Sequence, residues 1–161
     1  MKIAILHDSQ AGNGEKLAQT MKSAFEEQGA EVTVGNVKEL APQAVAAEAP
    51  DLLVLGAAIR AFHTSPPAKK WLKSFDAALK AKGTNVPAGA AFVTHGLPVK
   101  AANGWGKRFR RRLARAGGIS RVYPEWLSGR VVGQQGPLED GAEERFREHA
   151  RKLLEIGRAH V

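Results

Sequence analysis

Two apolar runs without alternation, DLLVLG at residues 51–56 and AGAAFVT at residues 88–94, constrain this chain more than anything else in it. A strand with one wet face alternates polar and apolar side chains, whereas an unbroken run is buried on both faces. Such strands need helices on either side of their sheet. The sequence supplies them at regular intervals. A short apolar strand is predicted over 2–6, and a second over 31–37, where Val32 and Val34 alternate with polar residues. Leu17, Met21, Ala24 and Phe25 share one face of a helix predicted over 13–28, which Gly29 ends. An alanine-rich crossover leads into the third strand. Trp71, Leu72, Phe75 and Leu79 define a helix over 67–79, and a further helix is predicted over 102–116. Residues 121–127 hold a fifth strand. Phe146, Ala150, Leu153 and Leu154 make the apolar side of a last helix over 139–154. This alternation predicts an α/β three-layer sandwich whose five parallel strands are joined by right-handed crossovers. Ligands of such sheets bind beyond the carboxyl ends of the strands. The loops after residues 6, 55 and 93 and after the fifth strand are therefore where chemistry is expected.

The length of 161 residues suits a single domain, expected over 1–154. The closing EIGRAHV, residues 155–161, is the translation expected of a common sequencing adapter and is read as a non-native tail. With no cysteine in the chain, disulfides, thiol catalysis and thiolate metal sites are excluded, and a reducing cytoplasm is the expected location. The apolar run before His7 and Asp8 is too short for a signal peptide, and no run approaches the roughly 20 residues of a membrane span. The histidines at 7, 63, 95, 149 and 160 form no metal-spaced cluster with carboxylates, so no metal is implied.

The net charge of +8 has one source. Lys100, Lys107, Arg108, Arg110, Arg111, Arg112, Arg115 and Arg121 fall in a stretch free of Asp and Glu, and the other basic residues balance the acidic ones. The protein is a neutral body with one basic segment, which attracts anionic partners and does so less as salt rises. The same residues also read as a solvated helix face, with Phe109, Leu113 and Ala116 on its inner side.

The first loop, residues 8–14, is DSQAGNG. A helix N-terminus exposes unpaired amides and a partial positive charge, so it can hold a phosphate without a cation. Gly12 and Gly14 let the backbone approach closely, and Ser9 and Asn13 add side-chain hydrogen bonds. A tight strand-to-helix turn capped by Asn13 accounts for the same residues.

The stretch ILHDSQAGNGEKLA resembles the phosphate-binding loop of the flavodoxin family, with Ser9, Gly12, Leu17 and Ala18 on the family pattern. His7 stands where an aromatic is usual, and Ala11 and Gly14 replace hydroxyl residues. DLLVLGAAIRAFHTSPPAKKWLKSF resembles the flavodoxin segment whose small-residue turn wraps the flavin ring, and AFVTHGLPVKAANGWG the last flavin-contacting loop. The resemblance runs over nearly the whole chain and implies a flavodoxin-like sandwich with FMN as cofactor. It implies phosphate contacts from Ser9, Gln10, Ala11, Gly12, Asn13 and Gly14. Ring contacts are implied from Ala58, Ile59 and Arg60, with Gly56 and Ala57 leaving room for the ring and Phe62 stacking on it. Thr94, His95 and Gly96 complete the site, His95 toward the pyrimidine side, and Trp105 covers the outer face. Arg60 would favour the anionic reduced flavin.

By the same resemblance the protein is an electron carrier or a small FMN-dependent oxidoreductase, with a redox partner protein or a quinone at the other end of the transfer. Flavodoxins proper are acidic. This chain departs in the opposite direction, so Lys107, Arg108, Arg110, Arg111, Arg112 and Arg115 are expected to meet an acidic or phosphate-bearing partner. GAAIRAFH also resembles the menaquinone-dependent protoporphyrinogen oxidases, although the long extra loop of that family has no counterpart. A flavin-free module that binds nucleic acid through KRFRRRLAR is the alternative of another class, with only Trp105 and Phe109 to stack on bases. A phosphorylated receiver domain is excluded, because the third strand ends in Leu55, Gly56 and Ala57 rather than an aspartate.

Overall fold

The computed structural model describes residues 1–61, 63–133 and 135–159. The elements follow the expected alternation. The strands are β1 (Lys2–His7), β2 (Glu31–Asn36), β3 (Leu52–Arg60), β4 (His63–Thr64), β5 (Val86–His95), β6 (Ile119–Val122) and β7 (Leu127–Arg130). The helices are α1 (Asn13–Glu27), α2 (Pro42–Glu48), α3 (Pro66–Lys82), α4 (Val99–Ala114) and α5 (Ala142–Ala159). The main sheet is parallel in the order β2-β1-β3-β5-β6, the doubly wound arrangement with its switch between β1 and β3.

Helices α2, α3 and α4 cover one face of this sheet, and α1 and α5 cover the other. Two cores result. Leu53, Leu55, Phe75, Val93 and Leu113 are buried in the first, and Ile5, Phe25, Val54, Phe92 and Phe146 in the second. Strands β3 and β5 contribute to both, as an unbroken apolar run requires. The edge strand β2, beside β1, is only half-buried.

The fifth strand departs from the expected span of 121–127. It is split into β6 and β7, which lie end to end along β5: Val86 pairs with Ile119, and Phe92 with Leu127. Pro124 has no amide to give a ladder, so the chain leaves the sheet over 123–126 and returns. The excursion seats Trp126 on α4, where a Cβ at Gly106 would overlap its indole, and its Nε1–H donates to Asn103 Oδ1 at 2.9 Å. The alanine-rich crossover contains the short helix α2, opened by Pro42 in its first turn. Helix α5 runs through residues 155–159, and the Arg158 guanidinium donates to the Gln28 carbonyl at 2.6 Å.

Gly56 also departs from expectation. It makes room not for a ligand but for Phe92, its registered partner on β5, whose ring lies across the glycine. Phe92 then meets Phe146 of α5 edge-on, with centroids 5.6 Å apart and planes at 87°. A methyl at position 56 would overlap a fully packed ring. Gly56→Ala is therefore expected to lower the free energy of unfolding by about 1–3 kcal/mol in urea melts, the usual cost of overpacking. A change within about 0.5 kcal/mol of zero, the range of a neutral surface substitution, would contradict this packing.

Candidate functional site

Because the strands are parallel, the loops after β1, β3, β5 and β7 open on the same rim. They enclose a cavity of about 870 Å³, within the range of cofactor pockets. Its wall comes from residues 9–11, 13 and 14, residues 58–61, residues 94–97, and Val131, Gly133 and Gln135.

The first loop leaves β1 through two buried polar residues, His7 and Asp8. The Ser9 amide donates to His7 Nδ1 at 3.1 Å, which fixes the imidazole with its proton on Nε2. Ser9 Oγ accepts the Gly12 amide at 3.0 Å, and Asn36 of β2 donates to the Ser9 carbonyl at 3.2 Å. Gly12 takes φ 93°, a left-handed conformation that favours glycine, and no atom lies within 4 Å of where its Cβ would be. The first helical bond of α1 runs from Lys16 to the Gly12 carbonyl, so the amides of Asn13, Gly14 and Glu15 have no helix partner. Among the described residues no side chain caps them. Asn13, read from sequence as a cap, instead donates to the Gln135 carbonyl at 3.1 Å and ties the first loop to the fourth.

The second loop follows a β3 that runs on to Arg60, beyond the expected end of the strand. Ala57 is consequently buried in the core rather than lining the cavity. Both backbone groups of Ala58 are engaged: its amide donates to Asp8 Oδ2 at 3.3 Å, and its carbonyl accepts from Ser65 at 3.0 Å. Arg60 lines the cavity and grips Asp8 twice, through Asp8 Oδ2 at 3.3 Å and the Asp8 carbonyl at 2.8 Å. Ala61 completes the turn at φ 48°. Phe62, expected to stack on a ring, lies outside the described residues.

In the third loop His95 is buried and both ring nitrogens are engaged. Nδ1 faces the Leu97 carbonyl at 2.9 Å and must carry the proton, so Nε2, 2.7 Å from Ser128 Oγ, accepts from that hydroxyl. Burial pushes the imidazole below the usual histidine range; the Leu97 carbonyl opposes this, Arg130 adds to it, and Glu139 opposes it. Trp126 packs beside His95, with centroids 5.8 Å apart. Trp105, expected over the outer face, stands on α4 off the cavity wall with the Arg108 guanidinium 5.7 Å from its ring centroid.

The fourth wall is the loop after the fifth strand, expected from the topology but with no residue of it named from sequence. Here Val131 and Leu138 form an antiparallel bridge, and Val132 donates to the Pro137 carbonyl at 2.7 Å. Glu139 anchors its base between Arg130 at 3.5 Å and Arg145 at 2.6 Å. The glycines of VVGQQGP were a turn signal, but no spacing connects them to residue 13.

A flavodoxin family profile matches residues 5–149. The chain belongs to the flavodoxin family. FMN is the cofactor of that family, and its members carry out electron transfer or oxidoreductase chemistry. Solved structures similar to the chain include a flavodoxin, WrbA-like protein from Agrobacterium tumefaciens (TM-score 0.75, 14% identity, 99% of both chains covered). Flavodoxin 2 from Bacillus cereus gives a TM-score of 0.72 at 18% identity, covering 97% of this chain and 99% of that one. Rubredoxin oxygen:oxidoreductase from Desulfovibrio gigas gives 0.73 at 16% identity over 98% of this chain, which spans only 36% of that protein. At these identities the structures share the fold. A search of curated protein sequences finds no match.

The residues present fit the family's cofactor. The uncapped amides of α1 suit a phosphate, the left-handed Gly12 keeps the approach open, and the cavity is large enough for a planar ring system.

His7, His95 and His149 are all pushed by burial below the ordinary histidine value, so each is held neutral in the fold. The unfolded chain takes up their protons first as pH falls through about 6.5. Stability is thus full above that value and lost as pH falls below it toward the folded-state values. Melting temperatures at pH 7.5 and 5.5 are expected to fall with acid, and more weakly in the His95→Gln variant. A variant with an undiminished acid dependence would remove His95 from this account.

Proposed function

We propose that this flavodoxin-family chain holds FMN across the four-loop rim and passes electrons to a partner that docks on its basic α4 face. The uncapped N-terminus of α1 opening into the cavity supports this reading most. The amides of residues 13–15 would hold the phosphate, with Ser9 Oγ holding the Gly12 amide and keeping the loop in shape. Residues 58–61 and 94–97 would hold the ring. Bound FMN supplies one- and two-electron chemistry. The chain's own residues supply the rest: Arg60 places positive charge at the cavity wall, Ala58 is locked against Asp8, and His95 is held neutral by burial.

The cationic surface supports docking on an acidic or phosphate-bearing partner. Lys107, Arg108, Arg111, Arg112 and Arg115 are exposed along α4, and none pairs with a carboxylate among the described residues. Lys69 of α3 joins them: its ammonium is pushed below the usual lysine range by burial and by the neighbouring Arg112 and Arg108. Arg110 differs, since its Nε donates to the Tyr123 carbonyl at 2.8 Å and helps hold the strand excursion.

Two measurements test the proposal. Titration of the apo-protein, followed by flavin fluorescence, is expected to show saturable FMN binding, with riboflavin about a hundredfold weaker or more. That ratio corresponds to the loss of two charge-assisted hydrogen bonds of roughly 1.5 kcal/mol each. Equal affinities would move the phosphate out of the first loop, and binding of neither would overturn the flavin reading. Electron transfer to an acidic acceptor protein is expected to slow as salt rises, and the Arg108→Ser/Arg112→Ser variant to lose most of that dependence. A salt-insensitive rate would remove the basic face from the proposal.

A further inference from the structure

Asp8 is the only buried carboxylate among the described residues, at 3% exposed, and it stays off the cavity wall. Its contacts join two loops. One carboxylate oxygen accepts from the Ala58 amide and from Arg60 Nη1, both at 3.3 Å, and the Asp8 carbonyl accepts from Arg60 Nη2 at 2.8 Å. Arg60 is on the wall, with its side chain about one-third exposed. The cation facing the cavity therefore has a buried counter-ion directly behind it.

We propose that Asp8 is a positioning residue that sets the reduction potential of the site by holding Arg60 in place and offsetting its charge. This rests on the FMN reading above. A guanidinium at the ring would favour the anionic reduced form and raise the potential. A carboxylate in hydrogen-bond contact with that guanidinium, shielded from water, opposes the same field. Placement and charge are separable here. The Asp8 backbone carbonyl holds Arg60 whatever the side chain, and an asparagine keeps an acceptor for Ala58. Asp8→Asn therefore removes the negative charge and leaves both tethers.

The experiment measures FMN affinity of the wild type first, and then midpoint potentials of the wild type, Asp8→Asn and Arg60→Gln with FMN bound. In Asp8→Asn the potential is expected to rise, with reduced FMN gaining about tenfold over oxidised FMN relative to the wild type. On a two-electron couple that is about 30 mV. In Arg60→Gln, where the carboxylate is left uncompensated, the potential is expected to fall. Amide spectra of the apo-protein report the fold and show whether the Ala58 resonance moves in Asp8→Asn while the other strands keep theirs.

An unchanged or lowered potential in a folded Asp8→Asn protein overturns the proposal. If Asp8→Asn does not fold, Arg60→Gln decides: an unchanged potential there overturns it equally. A wild type that takes no FMN fails the reading beneath, and the proposal falls with it. A wild type that binds FMN while neither variant shifts the potential fails the proposal alone.

Discussion

Burial of β3 and β5 on both faces is the constraint on which the rest depends. A central strand with no wet side can sit only in a sheet sandwiched between helices, and parallel pairing then sends every crossover back over a face. All carboxyl ends share one rim, and the helices that follow them begin there. The rim consequently gathers unpaired amides and the positive ends of helix dipoles. The phosphate site proposed at α1 would be a by-product of the way the core is built.

The rim's geometry is held by bonds that run between loops as well as within them. Asp8 binds Ala58 and Arg60 and joins the first loop to the second. Asn13 reaches the Gln135 carbonyl and joins the first to the fourth. His95 reaches Ser128 of β7, and Asn36 of β2 reaches Ser9. Each loop is thereby tied to an element other than the strand it follows. Arg60 serves this purpose while itself lining the cavity.

The fold was largely legible because its signal is local and repetitive. Unbroken apolar runs, helical stripes and the glycine after α1 each mark an element where it stands. The four loops named from sequence do meet at one cavity, since topology alone brings the ends of parallel strands together. Pairwise choices were not legible. Nothing near Gly56 announces that Phe92, on another strand, fills its space. Asn13 looks like a cap in its local context, and only the distant Gln135 diverts it. Trp105 lies within α4 and Trp126 follows it in sequence. Which of them sits beside His95 is decided by the excursion of the fifth strand at Pro124 and by the seat that Gly106 provides.

The central claim is that a single flavin occupies the space between these loops. Amide chemical-shift mapping during addition of FMN to the labelled apo-protein tests it most directly. The largest changes are expected at residues 9–14, 58–61 and 94–97 and at Val131, Gly133 and Gln135, with α3 and α4 beyond their first turns unaffected. Changes centred instead on Lys69, Arg108 and Arg112 would show FMN held by the basic surface and would contradict a cofactor site at the strand rim.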